Sequence, residues 1–298
     1  MDDGRGSHPA WTTAKSVVKE FLADKPFQLA AALSYFTLLS MVPLFLLLTG
    51  VAGLVFGRAA AREQLLARVG TMVGQQQADV VRTLLSQVGD HHASVVSTII
   101  GTTILVVGAT TVFGHLQTAL NQIWNVKAAP GRNVIWRLLG SRLLALAIVF
   151  GMAFILLVSM VASAALAGAH DYLSGLFPGA GTMLRVAYAL VSLAIVSVVI
   201  ALLFKYVPDA VIEWRDVLVG ALITGLLFTI GKYALGAYLA HLRYSSAGAA
   251  GSLILLVVWV YYSALILFLG AEITQVYACR FGKEIRPKTH AQMVQRKG

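Results

Sequence analysis

Six long apolar runs alternate with shorter polar segments along the chain. They cover residues 29–56, 95–113, 143–166, 186–204, 217–239 and 250–276. A helix needs about 20 mostly apolar residues to cross ~30 Å of hydrocarbon, and each run meets that length or falls within a residue of it. The runs also lack the strict alternation of membrane barrel strands, which favours helices. We therefore predict six transmembrane helices in a single membrane domain that comprises residues 1–298.

The long connection over residues 58–92 has a different pattern. Its apolar residues recur at helical spacing on both sides of the run Gly74-Gln75-Gln76-Gln77. This pattern predicts an outer amphipathic segment of two short helices, which lie on the membrane surface or cap the bundle. Whether they gate a cavity or only connect two spans stays open. The expected fold class is an all-α polytopic membrane protein with six transmembrane helices plus amphipathic interfacial helices.

Positive charge is unevenly distributed between the two sides of this bundle. Most of the 23 Lys and Arg residues fall in the two termini and in the connections 114–142 and 205–216. Cytoplasmic segments carry such an excess, so we predict that both termini are cytoplasmic and that residues 277–298 form a basic cytoplasmic tail. The net charge of +10 therefore has a topological explanation, and we expect no nucleic-acid partner.

Composition excludes several classes of protein. Hydrophobic residues make up 58% of the chain and charged residues only 12%, whereas soluble domains carry roughly 25% charged residues. A soluble enzyme and a disordered chain are both excluded. The seven histidines form no spaced cluster with acidic residues, and no phosphate-binding glycine loop is present. We expect no catalytic residue, no metal and no cofactor, so the protein is not expected to be an enzyme.

Two charged residues lie inside the apolar runs and are the first candidate binding residues. Charges in hydrocarbon are costly and default to functional roles. Lys232 lies about 22 Å from the predicted cytoplasmic edge and Glu272 only about 6 Å, at a rise of ~1.5 Å per residue. A direct salt bridge between them is therefore not expected. We predict that Lys232 faces a polar cavity and binds the negative part of a substrate, and that Glu272 either lines that cavity or anchors a helix end.

The first run adds polar residues that could form an opposing wall. Ser34 and Thr37 follow helical spacing, and Tyr35 lies beside them. Pro43 removes one backbone hydrogen bond, so we predict a helix kink there that exposes a carbonyl group. The alternative is a proline that merely fits a long apolar run into the bilayer.

Several short motifs resemble those of one protein family. They include Ala31-Ala32-Leu33-Ser34-Tyr35-Phe36 in the first run, Asn121-Gln122-Ile123-Trp124 after the second, Tyr206-Val207-Pro208-Asp209, Trp259-Val260-Tyr261-Tyr262 and Leu269-Gly270-Ala271-Glu272. Together they are similar to the BrkB/YihY family of bacterial inner-membrane proteins, once labelled ribonuclease BN. The resemblance covers about Phe21 to Tyr277, with Ala247 in place of an expected tyrosine. It implies a six-span bundle in the bacterial inner membrane, with roles proposed in envelope integrity, serum resistance and export of an amphiphile.

These observations lead to one expected function and two alternatives. We expect a transporter or flippase of a lipid or other amphiphile that supports envelope integrity, with membrane lipids as partners. The alternatives are an envelope scaffold that transports nothing and an exporter of a small polar solute. Association into a homo-oligomer stays open.

Overall fold

The computed structural model describes residues 9–73, 75, 78–79, 81–83, 111–128, 140, 180–241, 248–282, 285–289 and 291–294. Within them the helices are α1 (Pro9–Ala23), α2 (Pro26–Phe56), α3 (Arg58–Val73), α4 (residues 111–123), α5 (Ala180–Tyr206), α6 (Trp214–His241) and α7 (Gly248–Phe281). The strands are β1 (Val126–Ala128), β2 (Ala210–Val211), β3 (Arg286–Pro287) and β4 (Ala291–Met293). The predicted third span, most of the second, residues 84–92 and the last four residues of the tail lie outside the described residues.

Three of the described helices are long and apolar enough to cross a membrane. Their apolar stretches are Ala189–Tyr206 in α5, Trp214–Leu235 in α6 and Ile254–Phe281 in α7. They match the predicted fourth, fifth and sixth spans. The predicted first span lies within α2, which is one continuous helix. These helices are longer than the apolar runs within them. The 34 residues of α7, for example, extend about 51 Å.

An additional helix, α1, precedes the first span. It meets α2 at Lys25, whose φ of 53° turns the chain before Pro26 begins the next helix. At the end of α7 that leads into the tail, the guanidinium of Arg280, in the last turn, donates to Thr13 Oγ1 at 2.7 Å and Ser16 Oγ at 2.6 Å. These bonds dock the polar side of α1 against the end of α7.

The segment predicted to be outer packs back against the bundle. Gly57, with φ at 81°, separates α2 from α3, and a positive φ of this kind favours glycine. A small second core joins α3, the helical residue Val81, α2 and α7 through Leu66, Val81, Met41 and Leu256. The predicted amphipathic helix after the first span is present as α3, and its buried side packs against the bundle.

The four strands were not predicted, and they make the all-α expectation incomplete. β1 pairs antiparallel with β4, with Lys127 opposite Gln292, and β2 pairs with β3, with Ala210 opposite Pro287. The tail therefore returns to the bundle after α7 ends. We call this side of the molecule, where Lys25, the four strands and the connection 207–213 meet, the basic end. It is the side predicted to be cytoplasmic.

The main hydrophobic core lies next to the basic end. Its largest buried side chains include Trp124, Phe204 and Phe268, and the rings of Trp124 and Phe204 meet edge to face at 5.6 Å. Offset contacts of this kind add to the free energy of burial. This core fixes α4, α5 and α7 relative to one another at that end.

Candidate functional site

A reciprocal glycine and threonine contact joins α6 and α7. A Cβ atom at Gly220 would lie 2.8 Å from Thr274 Cβ, and one at Gly270 would lie 2.7 Å from Thr224 Cβ. Each threonine thus occupies the space that the glycine of the other helix leaves open. Small residues allow such close approach between membrane helices. We call these four residues the Gly/Thr seam.

The threonine hydroxyls of the seam are satisfied within their own helices. Thr224 Oγ1 donates to Gly220 O at 2.6 Å, and Thr274 Oγ1 donates to Gly270 O at 2.7 Å. Both residues are buried, and a buried hydroxyl without a partner would be costly. The seam is therefore a packing surface rather than a polar lining.

Lys232 lies on the side of α6 that faces α5. Gly225, seven residues earlier, packs against Ser197 and Leu193 of α5, and seven residues return a helix to nearly the same face. Lys232 is partly buried. The exposed apolar side of α6 is formed by every fourth residue and contains Leu218, Leu222, Leu226 and Ile230. Lys232 does not belong to that exposed side.

Glu272 lies on another face of the adjoining helix. Its side chain is 1% exposed, and at 100° per residue it turns by about 200° from Gly270. Phe268, on the same face as Glu272, belongs to the main core with Ala30 and Leu33 of α2. Glu272 therefore points away from the Gly/Thr seam.

The structure does not bring Lys232 and Glu272 together. The seam sets α6 and α7 antiparallel with Thr274 beside Gly220, so Glu272 is level with residue 222. Lys232 lies ten residues further along α6, or about 15 Å at the helical rise. The helix α7 continues nine residues beyond Glu272 to Phe281, so this carboxyl group lies about 13 Å from the helix end.

The polar residues of α2 are divided between two faces. Ser34 is 3% exposed and its hydroxyl donates to Ala31 O at 2.8 Å, while Thr37 Oγ1 donates to Leu33 O at 2.7 Å. Tyr35 is 58% exposed and its ring meets that of Phe36 edge to face. The expected wall of three polar groups therefore contains at most two that share a face. At Pro43 the helix continues to Phe56.

Asp209 organises a polar network at the basic end. Its Oδ1 accepts from Gln117 Nε2 at 3.1 Å and its Oδ2 from Asn121 Nδ2 at 2.9 Å. Its backbone N–H donates to Asn121 Oδ1 at 2.7 Å, and its carbonyl accepts from the Lys288 N–H at 2.9 Å. One buried aspartate thus connects α4, the turn after α5 and the tail.

Two lysine ammonium groups converge on the same connection. Lys205 Nζ donates to Ile212 O and lies 5.4 Å from the centroid of the Trp214 ring. Lys288 Nζ donates to Tyr206 O at 3.3 Å. Burial lowers the pKa of Lys288 below its ordinary value of 10.5; the Asp209 carboxylate opposes that shift, and the charge of Lys205 adds to it.

The roles of Asp209 and the Gly/Thr seam were not predicted. The sequence carries one signal for the seam, because Gly220 and Thr224 have the same four-residue spacing as Gly270 and Thr274. For Asp209 the signal is its place in a motif that the family resemblance already contains. Its partner Asn121 lies 88 residues away, and no local pattern pairs them.

The described residues contain no set of three or more His, Cys, Asp or Glu side chains that could hold a metal ion. Charge and hydrogen bonding are the chemistry that their polar side chains display. Lys232 and Glu272 supply it within the spans, and Asp209 with its two lysines supplies it at the basic end.

A family model and several relatives match the chain. The model described as Virulence factor BrkB matches residues 17–295. The UPF0761 membrane protein of Verminephrobacter eiseniae is 29% identical over 275 residues, which covers 89% of this chain and 62% of the relative. That of Alkalilimnicola ehrlichii is 28% identical over 270 residues, covering 88% and 57%.

A third relative, UPF0761 membrane protein Smlt0865 of Stenotrophomonas maltophilia, is 28% identical over 292 residues, and the match covers 63% of the relative's length. The chain thus spans less than two thirds of these relatives. No solved structure matches the chain.

Proposed function

Because the chain belongs to the Virulence factor BrkB family and is an integral membrane protein with several apolar helices, we propose that it moves an amphiphile with an anionic headgroup across the bacterial inner membrane. The substrate is a lipid or a lipid-linked molecule, and its transport supports the envelope. Both termini lie in the cytoplasm. Membrane lipids are its partners.

The observation that carries this proposal is the position of Lys232. A cation well inside an apolar span is costly when it faces lipid. Lys232 is partly buried and leaves α6 on the α5 side, away from the exposed leucines. A cation held on a protein-facing side within a span is suited to attract a negatively charged group, because the low dielectric there strengthens the attraction.

Glu272 and Ser34 supply further polar groups within the bundle. Glu272 is buried at a different depth from Lys232, so it does not neutralise the ammonium group directly. This separation leaves Lys232 available for a headgroup, while the Glu272 carboxyl group lies nearer to the basic end. Tyr35 is exposed and has no part in the proposed binding.

Reconstituted vesicles provide the test. Fluorescently labelled phosphatidylglycerol and phosphatidylcholine are compared, and a membrane-impermeant quencher measures how fast lipid moves between leaflets. We expect movement of phosphatidylglycerol with the unchanged protein, its loss with Lys232→Met, and its retention with Lys232→Arg, which keeps the charge. Equal rates for Lys232→Met and the unchanged protein would remove the binding role of Lys232.

A packed scaffold is the second candidate, favoured by the strand pairs that tie the tail to the basic end. A scaffold would give no lipid movement above that of empty vesicles for either headgroup. The same experiment therefore separates the two functions.

A further inference from the structure

Two lysines, a tyrosine and a tryptophan surround the connection between α5 and α6. Lys205 lies in the last turn of α5, where a positive charge suits the helix dipole, and Lys288 comes from the tail. One ammonium group donates to the carbonyl of Ile212 within the connection, and the other to that of Tyr206, at the end of α5. Two cations from distant parts of the chain are thus held at one place.

The aromatic rings beside the lysines mark the depth of this place in the membrane. Tyr206 is 45% and Trp214 44% exposed, and their rings meet edge to face at 6.1 Å. Tyrosine and tryptophan favour the headgroup layer of a bilayer. Both residues lie at the ends of apolar helices, a position that suits the headgroup layer, and the two ammonium groups lie beside them.

The local charge balance favours an anion. Arg286 lies opposite Val211 across β2 and β3 and is exposed, as is Arg215. The nearby Asp209 carboxylate accepts hydrogen bonds from Gln117 and Asn121. Four basic side chains, those of Lys205, Lys288, Arg215 and Arg286, thus lie around the connection, against three acidic ones, those of Asp209, Glu213 and the buried Asp216. Each ammonium group has three donors, so donors remain for an oxygen-rich ligand.

We propose that Lys205 and Lys288 form a binding site for the phosphate of an anionic phospholipid headgroup at the basic end. Tyr206 and Trp214 contact the glycerol and upper acyl region of the same lipid. The tail completes the site, because Lys288 is placed by the pairing of β2 with β3 and by its N–H bond to Asp209 O. This site does not depend on transport, since a scaffold would carry it equally.

Lipid retention by the full-length protein tests the site. The protein in detergent is titrated with phosphatidylglycerol or phosphatidylcholine of identical acyl chains, and bound lipid is counted by native mass spectrometry. Lys288→Gln removes the charge but keeps an amide donor for the Tyr206 carbonyl. We expect it to weaken phosphatidylglycerol binding about fivefold, which corresponds to ~1 kcal/mol per basic residue near a lipid surface, and to leave phosphatidylcholine binding unchanged.

The matched control is Lys127→Gln, which removes an exposed lysine from the same end. We expect a change of less than about twofold, since Lys127 lies outside the site. Equal losses of phosphatidylglycerol affinity in the two variants would mean that only the net charge of this end matters, and would overturn the proposal. So would equal affinity of the unchanged protein for both lipids.

Two further arms keep the proposal testable. Soluble glycerol 3-phosphate should displace bound lipid only weakly; displacement at the concentration where the lipid itself binds would assign the site to a free phosphate and overturn the lipid assignment. Should Lys288→Gln fail to fold, photoactivatable phosphatidylglycerol is crosslinked to the unchanged protein. Labelled peptides within residues 205–215 and 285–294 support the site, and labelling confined to other peptides overturns it.

Discussion

The Gly/Thr seam predicts a measurable loss of stability when a single methyl group is added. In Gly220→Ala the new Cβ would lie 2.8 Å from Thr274 Cβ and overlap its hydroxyl oxygen. Carbon atoms pack at about 3.5–4.0 Å, so α6 and α7 must separate locally by about 1 Å. Thr274 cannot move aside easily, because it is β-branched and bonded to Gly270 O.

The magnitude follows from two opposing effects. Overpacking of this kind costs about 1–3 kcal/mol, and the short carbon–carbon distance favours the upper part of that range. Replacing glycine by alanine within a helix returns up to ~1 kcal/mol. We therefore expect the free energy of unfolding to fall by about 1–2 kcal/mol.

Unfolding by sodium dodecyl sulfate in mixed micelles, followed by far-ultraviolet circular dichroism, measures this change. Gly114→Ala in α4 is the matched control, because a Cβ there would meet nothing within 4 Å; we expect its stability to be unchanged or higher. The double variant Gly220→Ala with Gly270→Ala should lose less free energy of unfolding than the two single variants together, because both substitutions force the same separation of α6 from α7. Full additivity, or a Gly220→Ala protein as stable as the original, would refute the reasoning.

Three other predictions concern the basic end and the topology. Asp209→Ala should lower the free energy of unfolding by about 1–3 kcal/mol, because it leaves the amide donors of Gln117 and Asn121 without their acceptor. The same detergent unfolding measures this change, and a stability no lower than that of Gly114→Ala would contradict the network. The affinity for phosphatidylglycerol should fall as the pH rises through the pKa of Lys288, which lies below 10.5, because the attraction is present only while the ammonium is protonated; Asp209 and Lys205 are the charged groups beside it. The Lys288→Arg protein should lose less affinity for phosphatidylglycerol over the same pH interval. Identical pH profiles for this variant and the unchanged protein would exclude titration of Lys288 as the cause. On a Cys279→Ser background, a membrane-impermeant thiol reagent added to intact cells should label Gln76→Cys but not Lys127→Cys, and the reverse pattern would invert the topology.

Within the described residues, the apolar runs alone predicted the long helices α2, α5, α6 and α7. Runs at 186–204, 217–239 and 250–276 all lie within described helices, because crossing hydrocarbon requires a length of apolar residues that is visible in one dimension. The helix boundaries were less predictable. Both α6 and α7 extend beyond their apolar runs, since polar residues continue a helix into the interface.

Charged and polar residues could be identified from the sequence but not positioned. Helical spacing placed Ser34 and Thr37 near one another, yet it could not tell that Tyr35 would be 58% exposed. The direction of Lys232 depends on where α5 lies around α6. That direction follows from the contact of Gly225 with Ser197, which is a property of two packed helices.

The sequence by itself therefore determined the class of this protein, the long apolar helices that the structure describes and the family to which it belongs, because hydrophobicity and short motifs are local properties. Only the tertiary structure decided that Thr224 and Thr274 each fill the space beside a glycine of the other helix, and that Asp209 joins Asn121 to the returning tail. Strands of two or three residues carry no periodic signal of their own. They form because a partner strand from a distant part of the chain supplies the hydrogen bonds, and that partner is known only once the chain has folded.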